Sequence, residues 1–159
     1  MTTIVTGATG FIGSVLVRKL LSQGRSVRAV VRSDDSSLSN LDIDVIRADI
    51  RNYATLPKVF KGAESVFHMA AEIALNTNHT ARVTATNVDG AENVAFAALE
   101  AGVNRYVHCS SIHTFDLRDP KQVISETTQR VGNFHPLYDR TKSYGERAVS
   151  TLVTQGLPA

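Results

Sequence analysis

The chain has few cysteines, no long apolar runs and little net charge, so its composition is that of an ordinary globular protein. Cys109 is its single cysteine, so an intramolecular disulfide is excluded and a reducing compartment, the cytoplasm, is the expected location. No apolar run approaches the roughly 20 residues that span a bilayer, and the first residues predict a strand instead of a signal peptide. The formal net charge is only +2, from 17 basic and 15 acidic residues. We therefore expect neither a membrane nor a nucleic acid as partner, and no spacing of His, Cys and Asp predicts a metal site.

Short apolar segments alternate with stretches of helical period along all 159 residues. The predicted strands are 4–5, 27–31, 45–48, 65–69 and 103–110, and the predicted helices are 11–22, 52–60, 84–101 and 138–155, with a loop over 112–137. This alternation favours parallel pairing with right-handed crossovers. The strands also lack the strict polar alternation of a sheet with one wet face. The predicted fold class is therefore α/β, a doubly wound parallel sheet (Rossmann fold), in one dinucleotide-binding domain over residues 1–159.

The first strand runs directly into a turn with glycines at positions 7, 10 and 13, and a helix follows. Gly7 permits the tight turn, Gly10 lets the backbone approach a pyrophosphate, and Gly13 lets the helix pack closely on the strand. The helix N-terminus adds unpaired N–H groups and a partial positive charge. The turn predicts a phosphate site, although a glycine-rich turn without a ligand has the same local sequence.

The end of the second strand carries a basic residue where dinucleotide folds usually carry an acidic one. Arg32 could grip a 2′-phosphate with two parallel hydrogen bonds, which favours NADP over NAD, and Ser33 could add a hydroxyl contact. Two alternatives remain open. Arg32 could be a solvated residue at a strand edge, or Asp34 and Asp35 could bind the ribose of NAD.

Further short motifs follow the glycine turn in a fixed order. They are Ala48–Ile50, His68–Ala71, Asn87–Gly90, Cys109–Ser111 and Tyr138–Lys142, with Val27–Arg32 and Ser110–His113 as minor landmarks. This series resembles the short-chain dehydrogenase/reductase family in its extended branch, the NAD-dependent epimerase/dehydratase type. Within that branch it is most similar to dihydroflavonol-reductase-like and hydroxysteroid-dehydrogenase-like members. The resemblance covers essentially the whole chain.

The resemblance assigns a role to each motif of the cofactor site. It implies that Asp49 accepts a hydrogen bond from the adenine amino group with Ile50 against the ring, and that the His68–Ala71 backbone lies close to the adenine ribose. It implies that Asn87 supports the helix backbone or a proton-relay water. The expected cofactor-binding residues are Gly7, Thr9, Gly10, Phe11, Ile12, Gly13, Arg32, Asp49, Ile50, Ala70, Ala71, Asn87, Tyr138 and Lys142.

Three further residues predict a reaction. Hydride transfer to a carbonyl leaves a developing alkoxide that needs a proton, and Tyr138 is the candidate acid. Lys142 lies four residues later on the same helix face, where its ammonium would lower the phenol pKa from about 10 and could bind the nicotinamide ribose. The resemblance implies that Ser111 is the catalytic serine, which would orient the substrate oxygen. Without the resemblance, a Tyr–Lys spacing of four and serines at a strand end are also ordinary structural features.

Relatives of this type are typically around twice as long as this chain. The resemblance therefore implies a fold truncated after the fifth strand and its following helix, without the C-terminal substrate lobe. We expect weak cofactor binding, little turnover and an uncovered sheet edge. The resemblance also implies a homodimer through helices 84–101 and 138–155.

The function predicted first is an NADP-dependent oxidoreductase that transfers a hydride between nicotinamide and a carbonyl or alcohol substrate of small or medium size. The first alternative is a nucleotide-sugar epimerase or dehydratase of the same branch that uses NAD. The second alternative is a regulator that binds the cofactor without catalysis.

Overall fold

A single parallel sheet forms the centre of the molecule. The computed structural model describes residues 2–33, 35–73, 79–119 and 121–159. Within these residues the strands are β1 (Thr2–Thr6), β2 (Ser26–Val31), β3 (Asp44–Arg47), β4 (Ala63–His68) and β5 (Arg105–His108). They pair in the order β3-β2-β1-β4-β5, all parallel. The predicted fold class is confirmed, and the strand bounds differ from the predicted ones mainly at the ends.

Helices cover both faces of the sheet. Those in the described residues are α1 (Phe11–Ser22), α2 (Leu56–Phe60), α3 (Thr80–Thr84), α4 (Gly90–Glu100) and α5 (Leu137–Val153), with 3₁₀ turns at Ser36–Leu38, Tyr53–Thr55 and Ile112–Thr114. The predicted helix 52–60 is a 3₁₀ turn followed by the short α2, because Pro57 has no N–H to donate and is tolerated only in a first helical turn. None of the described helices has both the length and the apolar character needed to cross a bilayer.

The prediction of one uninterrupted helix over 84–101 is wrong. The helical segment begins with α3, passes through a π turn at Ala85–Asp89 and continues as α4. A π turn holds one extra residue per turn and is rare outside functional sites. Asn87 lies inside it, and its contacts are described below.

Two apolar clusters lie on opposite faces of the sheet. Ile4 packs with residues of α2, α4 and α5, whereas its neighbour Val5 packs with residues of α1. Successive residues of a strand point to opposite faces, so both faces of β1 are buried. This explains why the strands lack a polar alternation.

The expected uncovered edge at β5 is partly wrong. The Tyr106 N–H donates to the Pro158 carbonyl at 2.9 Å, and Leu157 is buried in the larger cluster. The C-terminal residues therefore pair with part of the strand edge.

Candidate functional site

A cavity of about 490 Å³ opens where the carboxyl ends of the central strands meet. Such a position, beside the point where the strand order reverses, is the usual ligand site of an open α/β sheet. The cavity is lined by residues 7, 9–10, 30–33, 48–51, 69–72 and 86. Of the expected cofactor residues, it includes Gly7, Thr9, Gly10, Arg32, Asp49, Ile50, Ala70 and Ala71. Those that lie outside it are Phe11, Ile12, Gly13, Asn87, Tyr138 and Lys142.

The glycine turn is packed so closely that side chains would not fit. Gly7 has a φ of +66°, and a Cβ there would lie 2.6 Å from the Ala70 backbone nitrogen. A Cβ on Gly13 would lie 2.1 Å from the Gly7 carbonyl oxygen. Both glycines therefore let α1 and the end of β4 pack against the turn. Gly7, Thr9 and Gly10 line the cavity beside this contact, at the N-terminus of α1, where backbone N–H groups can bind a pyrophosphate.

Asp49, the expected adenine contact, lines the cavity together with Arg51. Its two carboxylate oxygens accept from Arg51 Nε at 2.9 Å and Nη2 at 2.5 Å, and the Arg51 backbone N–H donates to Oδ1 at 3.0 Å. These hydrogen bonds from Arg51 hold the pKa of Asp49 below its usual value. Sequence reasoning missed Arg51, although a cation two residues after the expected adenine contact was a visible signal.

Arg32 lines the cavity beside Ser33. The pairing of Val31 with Arg47 places Arg32 close to the end of β3. No hydrogen bond or ion pair within the described residues engages its guanidinium. Asp35 is ion-paired with Arg47 at 3.1 Å, whereas Asp34, the other acidic candidate for an NAD ribose, lies outside the described residues.

Asn87 connects three segments of the chain through its side-chain amide. Its Oδ1 accepts from the Glu72 N–H at 2.8 Å, and its Nδ2 donates to the Glu72 carbonyl at 2.9 Å and to Thr141 Oγ1 at 3.1 Å. The side chain thus fixes the backbone just beyond Ala70 and Ala71 and ties it to α5. The expected role of Asn87, support of the helix backbone or of a proton-relay water, stays a prediction.

The three expected catalytic residues lie around the turn that follows β5. Lys142 is buried on α5, and its Nζ donates to the Cys109 carbonyl at 2.6 Å. Ser111 Oγ accepts from the His113 N–H at 3.2 Å, and the Tyr138 ring stands edge-on to His113 with centroids 6.1 Å apart. Burial lowers the pKa of Lys142. The structure therefore brings the segments of all three residues to the turn that follows β5. This turn lies at the same end of the sheet as the cavity.

A polar cluster behind this turn was not predicted. Glu146, one helical turn after Lys142, accepts from Ser110 Oγ at 2.7 Å and from Arg130 Nε at 2.7 Å. Arg130 also lies over the Phe115 ring at 4.0 Å and pairs with Phe115 in an antiparallel bridge. These contacts fold the predicted loop 112–137 onto α5. They join residues far apart in sequence, which no local pattern indicates.

Two histidines, His68 and His108, lie side by side on β4 and β5. His68 and His108 face each other across β4 and β5 with ring centroids 5.4 Å apart, and His68 Nδ1 is 2.7 Å from Thr6 Oγ1. Neither ring nitrogen of His108 has a partner among the described residues. Burial, with a smaller effect of Lys142, lowers the pKa of His108 to about 4, and burial lowers that of His68 well below its usual value.

Comparison with known proteins places this site in a family. The model of the NAD-dependent epimerase/dehydratase family matches residues 3–159. Sterol demethylase protein B of Methylococcus capsulatus is 35% identical over 99% of this chain and 48% of its own length. A 3β-hydroxysteroid dehydrogenase/Δ5→4-isomerase of Mycobacterium tuberculosis is 32% identical over 92% of this chain and 41% of its own.

Solved structures agree with the sequence comparison. MoeE5 in complex with UDP-glucose and NAD superimposes with a TM-score of 0.82 at 31% identity, covering 98% of this chain and 50% of that one. The chain thus spans about half the length of the proteins it matches.

Proposed function

Because the chain belongs to the NAD-dependent epimerase/dehydratase family, the extended branch of the short-chain dehydrogenases/reductases, we propose that it binds NADP(H) and serves hydride transfer between nicotinamide and a carbonyl or alcohol. The family accounts for an NAD(P) cofactor. The choice of NADP rests on one observation: Arg32 lines the cavity, and its guanidinium has no partner among the residues that the structure describes.

The described residues fit a dinucleotide. The glycine turn closes against the end of β4 without space for a Cβ at Gly7, and Gly7, Thr9 and Gly10 line the cavity beside this contact, where the N-terminus of α1 can bind a phosphate. Arg32 and Ser33 stand at the end of β2, where the fold places the 2′ position of the adenosine ribose. A guanidinium there offers two charge-assisted hydrogen bonds to a phosphate.

The cofactor preference is tested by replacing Arg32. Each hydrogen bond to a charged group contributes about 1.5–3 kcal/mol, so Arg32→Ala should weaken NADP⁺ binding at least about tenfold while changing NAD⁺ binding little. Arg105→Ala is the matched control, because Arg105 is an exposed arginine at the start of β5 and lies outside the cavity. Equal losses for both cofactors, measured by titration calorimetry, would remove the argument for NADP.

When bound, the cofactor supplies or accepts the hydride; the remaining work falls to the protein's own side chains. Tyr138 donates its hydroxyl proton to the substrate oxygen, and Ser111 hydrogen-bonds the same oxygen. The Lys142 ammonium has three donors, of which one is engaged by Cys109. The others are available to stabilise a phenolate and to bind a ribose hydroxyl.

The acid is tested by Tyr138→Phe. General acid catalysis contributes roughly 10²–10⁴-fold, so this variant should lose at least about a hundredfold in turnover and retain NADPH affinity. Turnover at the unmodified rate with cofactor bound would exclude Tyr138 from the reaction.

A second candidate function is epimerisation or dehydration of a nucleotide sugar with NAD. It is favoured by the likeness to MoeE5, whose structure holds UDP-glucose and NAD. NADPH with a panel of ketones, run beside NAD with UDP-sugars, separates the two functions. In a protein of the full length of these relatives, of which this chain spans about half, cofactor binding without turnover in either assay would instead favour a regulator.

A further inference from the structure

Three charged side chains share the adenosine end of the cavity: Arg32, Asp49 and Arg51. A fourth, Glu72, also lines the cavity, but its carboxylate is paired with Arg82 at 2.5 Å. The parallel register of β2 and β3 pairs Val31 with Arg47, so Arg32 and Asp49 both follow the ends of neighbouring strands. The Asp49 carboxylate therefore has two cations near it, Arg32 and Arg51.

Asp49 is fully engaged by Arg51. Both carboxylate oxygens accept from the guanidinium, and Oδ1 also accepts from the Arg51 backbone N–H. The pair is two residues apart in sequence, so the local chain geometry forms it without any ligand. The side chains of Arg51 and Asp49 are only about one-third exposed, at 34% and 32%.

If Arg51 were absent, the Asp49 carboxylate would have Arg32 as its nearest cation of the cavity. The hydrogen bonds from Arg51 lower the pKa of Asp49, and the charge of Arg32, which lines the same cavity, acts in the same direction. A carboxylate paired with Arg32 would compete with any phosphate for the guanidinium, and an unpaired carboxylate would repel that phosphate.

We propose that Arg51 is a specificity-determining residue that acts through Asp49. By holding the carboxylate, it leaves the Arg32 guanidinium available to a 2′-phosphate and cancels the negative charge beside it. The inference rests on the proposed role of Arg32 as the NADP contact. It assigns the preference for NADP to a set of three residues instead of one.

The experiment uses two probes that differ only in the 2′-phosphate, 2′,5′-ADP and 5′-AMP, titrated calorimetrically into the chain. Arg51→Ala should lower the affinity ratio of 2′,5′-ADP to 5′-AMP about tenfold, since one charged hydrogen bond is lost to competition. Arg51→Lys retains the cation and should keep most of the ratio. The double variant Asp49→Asn with Arg51→Ala removes the competing carboxylate and should restore the ratio.

Arg118→Ala is the matched control. Arg118 pairs with Asp116 through the same spacing and the same backbone and side-chain contacts, but outside the cavity. Its replacement should leave both affinities unchanged. Circular dichroism verifies that every variant is folded.

Several results would overturn the proposal. If Arg51→Ala weakens both probes equally, or neither, Arg51 has no part in selecting the phosphate. If the double variant stays as poor as the single one, Arg51 does not act through Asp49. If the affinity ratio falls in Arg32→Ala but not in Arg51→Ala, only the inference about Arg51 is refuted. If the affinity ratio is unchanged in Arg32→Ala, or if neither probe binds, the proposed NADP preference is refuted as well.

Discussion

At the scale of single residues, burial determines which groups near the candidate catalytic turn are charged. Burial lowers the pKa values of both His68 and His108, and the Lys142 ammonium acts in the same direction on each. Both imidazoles are therefore neutral at pH 7. Burial also lowers the pKa of Lys142, the amine of this buried group. Its hydrogen bond to the Cys109 carbonyl offsets part of the cost of burying it.

The neutral histidines predict that stability falls in acid. The folded-state pKa of His108 is about 4, against about 6.5 in an unfolded chain, so the unfolded state binds more protons between these values. Stability is then complete above pH 6.5 and is lost as the pH falls towards 4. For His108 alone we expect a loss of about 2 kcal/mol between pH 7 and pH 5. Denaturant unfolding at the two pH values measures it.

His108→Phe is the variant that isolates this contribution. Phenylalanine fills a similar volume, and the ring nitrogens it removes have no partner among the described residues. The pH-dependent loss should shrink by about 2 kcal/mol in the variant, while the part due to His68 remains. An unchanged loss would show that the pKa of His108 does not differ between the folded and unfolded states.

At the scale of elements, the periodicity of the sequence predicts whatever depends on local contacts. Helix α1 begins and ends at the predicted residues, because its apolar spacing and Gly24 define it within one segment. The π turn at Ala85–Asp89 could not be predicted in this way. Its Asn87 bonds to Glu72 and Thr141, which lie 15 and 54 residues away, so it depends on the assembled fold.

Gly145 explains how closely α5 packs on that π turn. A Cβ on Gly145 would lie 2.2 Å from the Asn87 carbonyl oxygen. Alanine is favoured over glycine inside a helix by roughly 1 kcal/mol. Here we expect the opposite sign, a destabilisation of about 1–3 kcal/mol, because the two backbones must separate.

The measurement is the free energy of unfolding of Gly145→Ala, beside Gly132→Ala as control. A Cβ on Gly132 would meet no atom within 4 Å, so that variant should stay within about 0.5 kcal/mol of the unmodified chain. A stabilised Gly145→Ala variant would contradict the close contact of α5 with Asn87.

At the scale of the whole molecule, the adenosine and nicotinamide ends of the candidate site differ in how they are enclosed. The glycine turn, Asp49 and the alanines at the end of β4 surround one cavity, and these followed from sequence motifs with known strand-end positions. The placement of Tyr138 and Lys142 beside the turn that follows β5 depends on the packing of α5, which no motif predicts. The homodimer through helices 84–101 and 138–155 stays a prediction.

This difference predicts where the binding energy of the cofactor arises. Phe11 and Ile12, expected at the cofactor, are 90% and 58% exposed, and the three expected catalytic residues do not line the cavity. The nicotinamide half should therefore add few contacts, so NADP⁺ and 2′,5′-ADP should bind this chain with affinities within about tenfold, or 1.4 kcal/mol. Calorimetric titration of both ligands measures the difference. As a control, Lys142→Met should leave 2′,5′-ADP binding unchanged. If NADP⁺ instead binds more than about a hundredfold tighter than 2′,5′-ADP, then α5 and the Cys109–Ser111 turn already bind the nicotinamide half.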